Sequence, residues 1–430
     1  MVKKVEPPFE APPGTHWYDP EQHEQPAPEP EQKPNGKHSK TEPLPFEYLD
    51  PFDVGALPMR AWLHAGHYIR KHVVMTVGPG GWGKTTLILT NAIEMACGRG
   101  LLGPPPAKRL RVLYWNGEDP KDEIKRRIAA ICLHYEIDIA ELRGQFIIGD
   151  KLKERRLAFV NERNLLIIDQ GAMLQFEQYI ADNAVDQVFL DPLVAFHHVP
   201  EGNNTAMEKL VTTLSGIAER QDMCIELNHH TRKPSGAFEI TVDDSRGAGA
   251  IANAARSVRV LNRMTEAEAK LPAISNEVRR AYLRVSRDKS NLTPASKATW
   301  IKLVSVQLPN GPDGGPGDNV QAIESWDYPQ PFDGVSADDM RWMRNQVRLE
   351  HYRSNPRAED WVGRPLAKHL NLDLDDKGER ERVVAILKLW FKNGVLATEE
   401  RPDAKRRMRE FVVPGNWNEA TDDDAPVASF

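Results

Sequence analysis

The chain has 430 residues, 56 Lys and Arg against 62 Asp and Glu, a formal net charge of −6 and 40% hydrophobic residues. That length allows two or three folding units with a large buried core. The charge balance excludes a protein coated in positive charge, so any nucleic-acid contact must come from local basic patches.

Residues 1–50 hold 11 of the 33 prolines and many Glu and Gln. So little apolar surface cannot offset chain entropy, and a disordered tail is expected there. No apolar run reaches the roughly 20 residues that span a bilayer, and no signal-like segment opens the chain, so a cytoplasmic protein is expected. Cys97, Cys132 and Cys224 are scattered within apolar patterns and read as buried thiols.

From residue 51 to residue 305, apolar runs alternate with helical spacing. Strands are predicted at 73–77, 111–115, 145–148, 164–168, 187–190 and 224–228. Strand–helix alternation of this kind implies an α/β fold with a mostly parallel, twisted sheet.

The first predicted strand runs into "GPGGWGKTT", and helical spacing follows. The pattern Gly78-x-x-x-x-Gly83-Lys84-Thr85 is that of a phosphate-binding P-loop in its required strand–turn–helix setting. Gly78, Gly80, Gly81 and Gly83 let backbone N–H groups close around phosphate oxygens. Lys84 is then placed for the outer phosphates and Thr85 for Mg²⁺, with Thr86 beside it. ATP and Mg²⁺ are the implied cofactors.

"GEDP" follows the second strand, with Glu118 and Asp119 at its C-terminal end, where doubly wound sheets bind ligands. Taken alone, these carboxylates read equally as the start of the helix carrying Lys125, Arg126 and Arg127. Behind a P-loop strand, Glu118 is favoured as the base that orients and deprotonates an attacking water.

A metal-holding carboxylate is also needed, and two strand ends supply one: "NLLIIDQ" at Asp169 and "DQVFLDP" at Asp191. Pro192 stops the strand right after Asp191, which favours Asp191. The next strand ends at Asn228, His229 and His230. Two adjacent histidines without Cys or carboxylate at ligand spacing argue against zinc. A polar group there suits the γ-phosphate instead. Arg232 and Lys233 lie in the loop beyond, suited to a nucleic-acid backbone. Arg246 reads as a solvated arginine or an arginine finger.

Residues 306–335, with "PNGPDGGPGDN", read as a linker or long hairpin. Residues 336–415 give three helical patterns and a hairpin around a basic tip, a winged-helix-like unit. Its third helix (Arg380, Arg382, Lys388) and wing (Lys405, Arg406, Arg407, Arg409) are candidate DNA contacts, diluted by Glu379, Glu381, Glu399 and Glu400. Residues 416–430 form an acidic tail.

The order GPGGWGKTT, GEDP with trailing KRR, VFLDP, NHH, then SRGAG…AAR resembles the RecA-like ATPase core of RepA-type replicative helicases of plasmids and phages, in the AAA_25 branch of P-loop proteins. The resemblance covers about residues 55–305. It implies a ring, usually a hexamer, with ATP bound between subunits and single-stranded DNA through the core. It implies Lys84 and Thr85 as the P-loop pair, Glu118 as base, Asp191 as the Walker B aspartate and His230 as γ-phosphate sensor. It further implies Arg246 as a finger reaching the neighbour's site and Arg127 against the adenine. Two features depart from the pattern: a bulky Trp82 within the P-loop, and an acidic pair, Asp243 and Asp244, in the loop after NHH. Late in the core, "VSRDKSNLTP" (Arg287, Lys289) is a further basic candidate. A RecA-like DNA-binding ATPase that loads or recombines without unwinding, an ATP-switched DNA-binding regulator and a small-molecule kinase stand as alternatives.

Overall fold

A computed structural model of the chain describes residues 48–151, 156–200, 202–231, 239–241, 248–290, 298–403 and 406–417. The chain divides into two units, Met1–Pro58 and Met59–Phe430. In the first, Val54–Ala56 form a single 3-10 turn, capped by the Asp53 carboxylate accepting from Gly55 N at 2.8 Å.

The second unit opens with a small hairpin, β1 (Trp62–His64) and β2 (Tyr68–Ile69), and continues into β3 (His72–Pro79) and α1 (Lys84–Cys97). There follow β4 (Val112–Asn116), α2 (Lys121–His134), β5 (Phe146–Gly149), β6 (Ala158–Val160), β7 (Leu166–Ile168), α3 (Gln170–Asp182) and β8 (Gln187–Asp191). Next come β9 (His197–His198), α4 (Asn204–Arg220), β10 (Cys224–Thr231), α5 (Ala248–Ala254), β11 (Ser257–Arg263), β12 (Tyr282–Ser290), β13 (Thr299–Gln307) and β14 (Asn319–Trp326). The C-terminal part holds α6 (Ala337–Leu349), α7 (Gly363–His369), α8 (Lys377–Lys392), β15 (Leu396–Pro402) and β16 (Met408–Pro414).

Nine strands form one sheet in the order β14-β13-β12-β11-β3-β10-β8-β4-β5. Neighbours from β11 to β5 run parallel, and β11 through β14 pair antiparallel. The inner strands read as near-continuous apolar runs, as parallel strands covered on both faces do. Val73, Met75 and Val77 pack with α4 residues such as Leu210 and Leu214 on one face. Val74 packs with Ile88, Ile93 and Ile124 of α1 and α2 on the other.

Two expectations about this sheet change. The strand expected at 164–168 is not part of it: β7 pairs antiparallel with β6, which pairs parallel with β9, in a separate three-stranded sheet. Ile167 stays 37% exposed there, so the segment lacks the two covered faces of a central strand. The sheet also runs past residue 305. β14 pairs along β13 from Asn319 to Trp326, so the Pro- and Gly-rich stretch is the tip of a hairpin inside the sheet. Ile323 and Ile301 bury against Leu87 of α1, and that burial holds the hairpin down.

The sheet centre is polar where β10, β3 and β11 meet. Thr76 donates to the buried Glu226 carboxylate, whose other oxygen lies 2.9 Å from His67 Nε2. Arg259 donates to Thr76 Oγ1 (2.7 Å), Asn91 Oδ1 (2.8 Å) and the Tyr68 hydroxyl (2.6 Å). Burial disfavours the Glu226 charge, but His67 and Arg259 outweigh it and hold that carboxyl below its ordinary pKa. Every member has partners, as buried polar groups require.

Helices α6 to α8 and the β15–β16 ribbon enclose a separate apolar core around Met343, Trp361, Leu366, Ile386 and Trp390. Ser336 and Asp339 form a capping box on α6, and Gly394 takes φ +72° just after α8. Arg353 bridges antiparallel to Phe411 of β16. All three cysteines are free and buried. No helix among the described residues is long and apolar enough to cross a membrane.

Candidate functional site

The turn between β3 and α1 puts Lys84 at the first position of a helix whose N-terminus points at the C-terminal edge of the sheet. Gly81 and Gly83 have φ of +75° and +89°, which a side chain rarely tolerates. A Cβ at Gly83 would also meet Leu303 at 3.0 Å. The Lys84 ammonium, 3% exposed as a residue, donates to Gly78 O (2.6 Å) and Pro79 O (2.9 Å). Burial lowers its pKa to about 8, against the pull of Asp191 and Glu118.

Asp191 ends β8 directly beside the loop. Thr85 Oγ1 lies 3.4 Å from its Oδ1, the Tyr114 hydroxyl donates to Oδ2 at 2.5 Å, and the Asn228 amide donates to Oδ1. Burial pushes the Asp191 carboxyl pKa up, while these donors and Lys84 act against the rise. Asp169, the other candidate, is an N-cap: its carboxylate accepts from Ala172 N at 2.9 Å at the start of α3.

Glu118 follows β4 on a turn fixed by Asn116, whose Oδ1 accepts from Glu118 N (2.9 Å) and Asp119 N (2.7 Å). Burial, with the charges of Asp191 and Asp119, raises the Glu118 pKa. On β10, adjacent side chains take opposite faces. His230 lines the cavity with Lys84, and His229 is not among the lining residues. Burial first, then the charge of Lys84, lowers the His230 pKa to about 4, so its imidazole is neutral at pH 7. Its Nε2 is buried with no partner among the described residues, as is Asn228 Oδ1.

Lys84, Thr85, Glu118 and His230 share one cavity of about 590 Å³, lined also by Gly81, Gly83, Thr86 and Asp119. Glu123, Arg126 and Arg127 of α2 and Asp318 to Gln321 of the β13–β14 hairpin complete the lining. Arg127 pairs with Asp119 and Glu123, both at 3.0 Å. A nucleoside triphosphate fits this donor set. Loop N–H groups and Lys84 suit the phosphates, the Thr85 hydroxyl and Asp191 carboxylate suit Mg²⁺, and the unpartnered His230 nitrogen suits a phosphate oxygen.

Residues 40–236 match the family model AAA_25, an AAA domain. This AAA match supports a P-loop ATPase of the RecA-like kind, and it contains every cavity residue from Gly81 to His230. Strands β11 to β14 and the C-terminal helices lie beyond it.

Arg232, Lys233, Arg246 and Lys405 lie outside the described residues. Arg406 and Arg407 are exposed at the β15–β16 tip and do not line the cavity. Arg382 is not available as a DNA contact: it donates to Pro331 O at 3.0 Å and to Asp333 O, tying α8 to the segment before α6. Arg287 is likewise committed, donating to Ala65 O (2.8 Å) across the β1–β2 turn. Trp82 packs beside the Arg263 guanidinium, 5.1 Å from its ring centroid, and Arg263 donates to Gly81 O at 3.2 Å. Sequence reasoning gave no role to Tyr114, Asn116, Asn228, Arg263 or Gln321. Only Asn116 and Asn228 carried a signal, as polar residues closing apolar runs.

Proposed function

We propose that the protein is an ATP-hydrolysing motor acting on DNA, a ring-shaped helicase of the RepA type serving plasmid or phage replication. The observation that carries the ATPase half is the convergence of Lys84, Thr85, Glu118 and His230 on one cavity, with Asp191 directly behind Thr85. In that reading Lys84 and the loop amides bind the phosphates, and Thr85 with Asp191 holds Mg²⁺, which screens charge on the transferring phosphoryl group. Glu118 takes the proton of the attacking water, its raised pKa bringing it nearer the working pH. Neutral His230 hydrogen-bonds the γ-phosphate and relays its loss along β10. Arg246 reaches a neighbouring subunit's site in a hexamer, and Arg232 with Lys233 meets single-stranded DNA in the ring.

The C-terminal core supports a winged-helix reading, since three helices, the Arg353 bridge and the β15–β16 ribbon occur in that fold's order. Arg406 and Arg407 would then be the wing's contacts to duplex DNA. Strand displacement on a tailed duplex with Mg·ATP tests the motor, and displaced strand is expected. DNA-stimulated hydrolysis without displacement would instead support a loading or recombination ATPase. Hydrolysis indifferent to DNA would remove the DNA motor altogether.

A further inference from the structure

The far wall of the P-loop cavity is a strand that lies outside the AAA match. Asp318, Asn319, Val320 and Gln321 line it together with Glu123, Arg126 and Arg127. Asn319 and Gln321 are two apart on β14 and so share a face. The wall is pinned at two points. Thr86 Oγ1 donates to Gln321 Oε1 at 3.2 Å, and the Asp318 carboxylate meets Arg126 Nε at 3.2 Å. Asn310 Nδ2 donates to the same carboxylate at 2.7 Å, bracing the hairpin tip.

The bond from Thr86 decides what Gln321 can offer. With its carbonyl oxygen taken, the amide nitrogen remains, carrying two donors. No described residue accepts from it, and the side chain is exposed to the cavity.

We propose that β14 is the nucleoside-reading wall of the site: Gln321, with Asn319, donates hydrogen bonds to acceptor atoms on the base or sugar of a nucleoside triphosphate. The inference rests on the P-loop reading, with the phosphates at Lys84 and the nucleoside between β14 and Arg127. Because Thr86 follows Thr85 in α1, one helical turn then holds both the metal-side hydroxyl and the group that aims the reader.

Equilibrium binding of Mg·ATP and of Mg·tripolyphosphate, which lacks a nucleoside, tests this on the full-length protein. Gln321→Ala is expected to weaken ATP about 10-fold, the worth of one or two hydrogen bonds, and to leave tripolyphosphate unchanged. Gln321→Glu keeps the acceptor for Thr86 but loses both donors, and is expected to bind ATP no better than Gln321→Ala. Equal losses for ATP and tripolyphosphate, or wild-type ATP affinity in either variant, would overturn the proposal. The phosphate reading fails separately if Lys84→Ala leaves tripolyphosphate binding intact.

Discussion

The Asn228 side chain donates to the carboxylate of Asp191 from the adjacent strand, one step beyond the last paired positions, Leu227 and Leu190. Tyr114 holds the other oxygen from β4. Strands on both sides therefore fix the orientation of one buried acid. Tyr114→Phe keeps the ring and removes a donor to the carboxylate, so the Asp191 pKa should rise further. Metal binding needs the ionised form. The acid limb of Mg²⁺-dependent ATPase should therefore move to higher pH than in wild type, and an unmoved limb would separate Asp191 from the metal.

Lys84→Ala should abolish tight ATP binding by removing the charge beside the loop carbonyls. Glu118→Gln should retain ATP and slow turnover by roughly 100-fold or more, as loss of a general base does. Single-turnover hydrolysis on pre-bound nucleotide separates the two effects. Full turnover in Glu118→Gln would reassign the base, with Asp119 next in line.

Acid should destabilise the fold through its histidines. Burial lowers His67, His197, His229 and His230 from the ordinary 6.5 to about 4. Between those values the unfolded chain binds protons that the native state does not, so stability is full above about 6.5 and falls as pH drops towards 4. Urea midpoints from pH 7 to pH 4.5 measure the slope, which His197→Gln should flatten. Lys84 acts in the same sense at higher pH. Its native pKa of about 8 lies below the ordinary 10.5, so nucleotide-free stability should rise with pH across that window, and Lys84→Met should remove the rise.

Arg263→Ala removes both the bond to Gly81 O and the stack on Trp82. A cation–π contact is worth about 0.5–2 kcal/mol, so nucleotide affinity should fall about 2- to 30-fold with the fold intact. Arg263→Lys should recover part of it. Competition with a fluorescent nucleotide measures both.

The ring reading predicts complementation. Arg246→Ala should fold and bind ATP yet hydrolyse poorly, and mixing it with Glu118→Gln subunits should restore some activity. Activity that stays flat on mixing, in a protein that sediments as a monomer, would rule out a finger acting between subunits.

The P-loop turn between β3 and α1 was legible because its chemistry demands particular residues at fixed spacing, as in Gly78 to Thr85. Asp191 was favoured over Asp169 because proline follows it at once, and it is Asp191 that lies beside Thr85. Tyr114 was hidden, since an aromatic inside an apolar strand looks the same whether its hydroxyl holds a carboxylate or a water. Gln321 was hidden for another reason. Its place in the cavity depends on a hairpin folding back onto α1, and no local pattern encodes where a strand lands. The segment 164–168 misled because a short apolar run carries no information on which sheet it joins.

The polar cluster around Thr76 also fixes alignment. Each strand of the sheet's middle is apolar for most of its length, and such runs tolerate sliding past one another. Glu226, Thr76 and Arg259 do not, because a one-residue slip of β10 would turn the Glu226 carboxylate to the opposite face, away from His67 and Thr76. An unpaired buried charge costs several kcal/mol. The cluster thus works as a key for three strands at once, and those strands carry the P-loop and His230. The cavity's geometry is set in part by a lock built three residues upstream of Pro79.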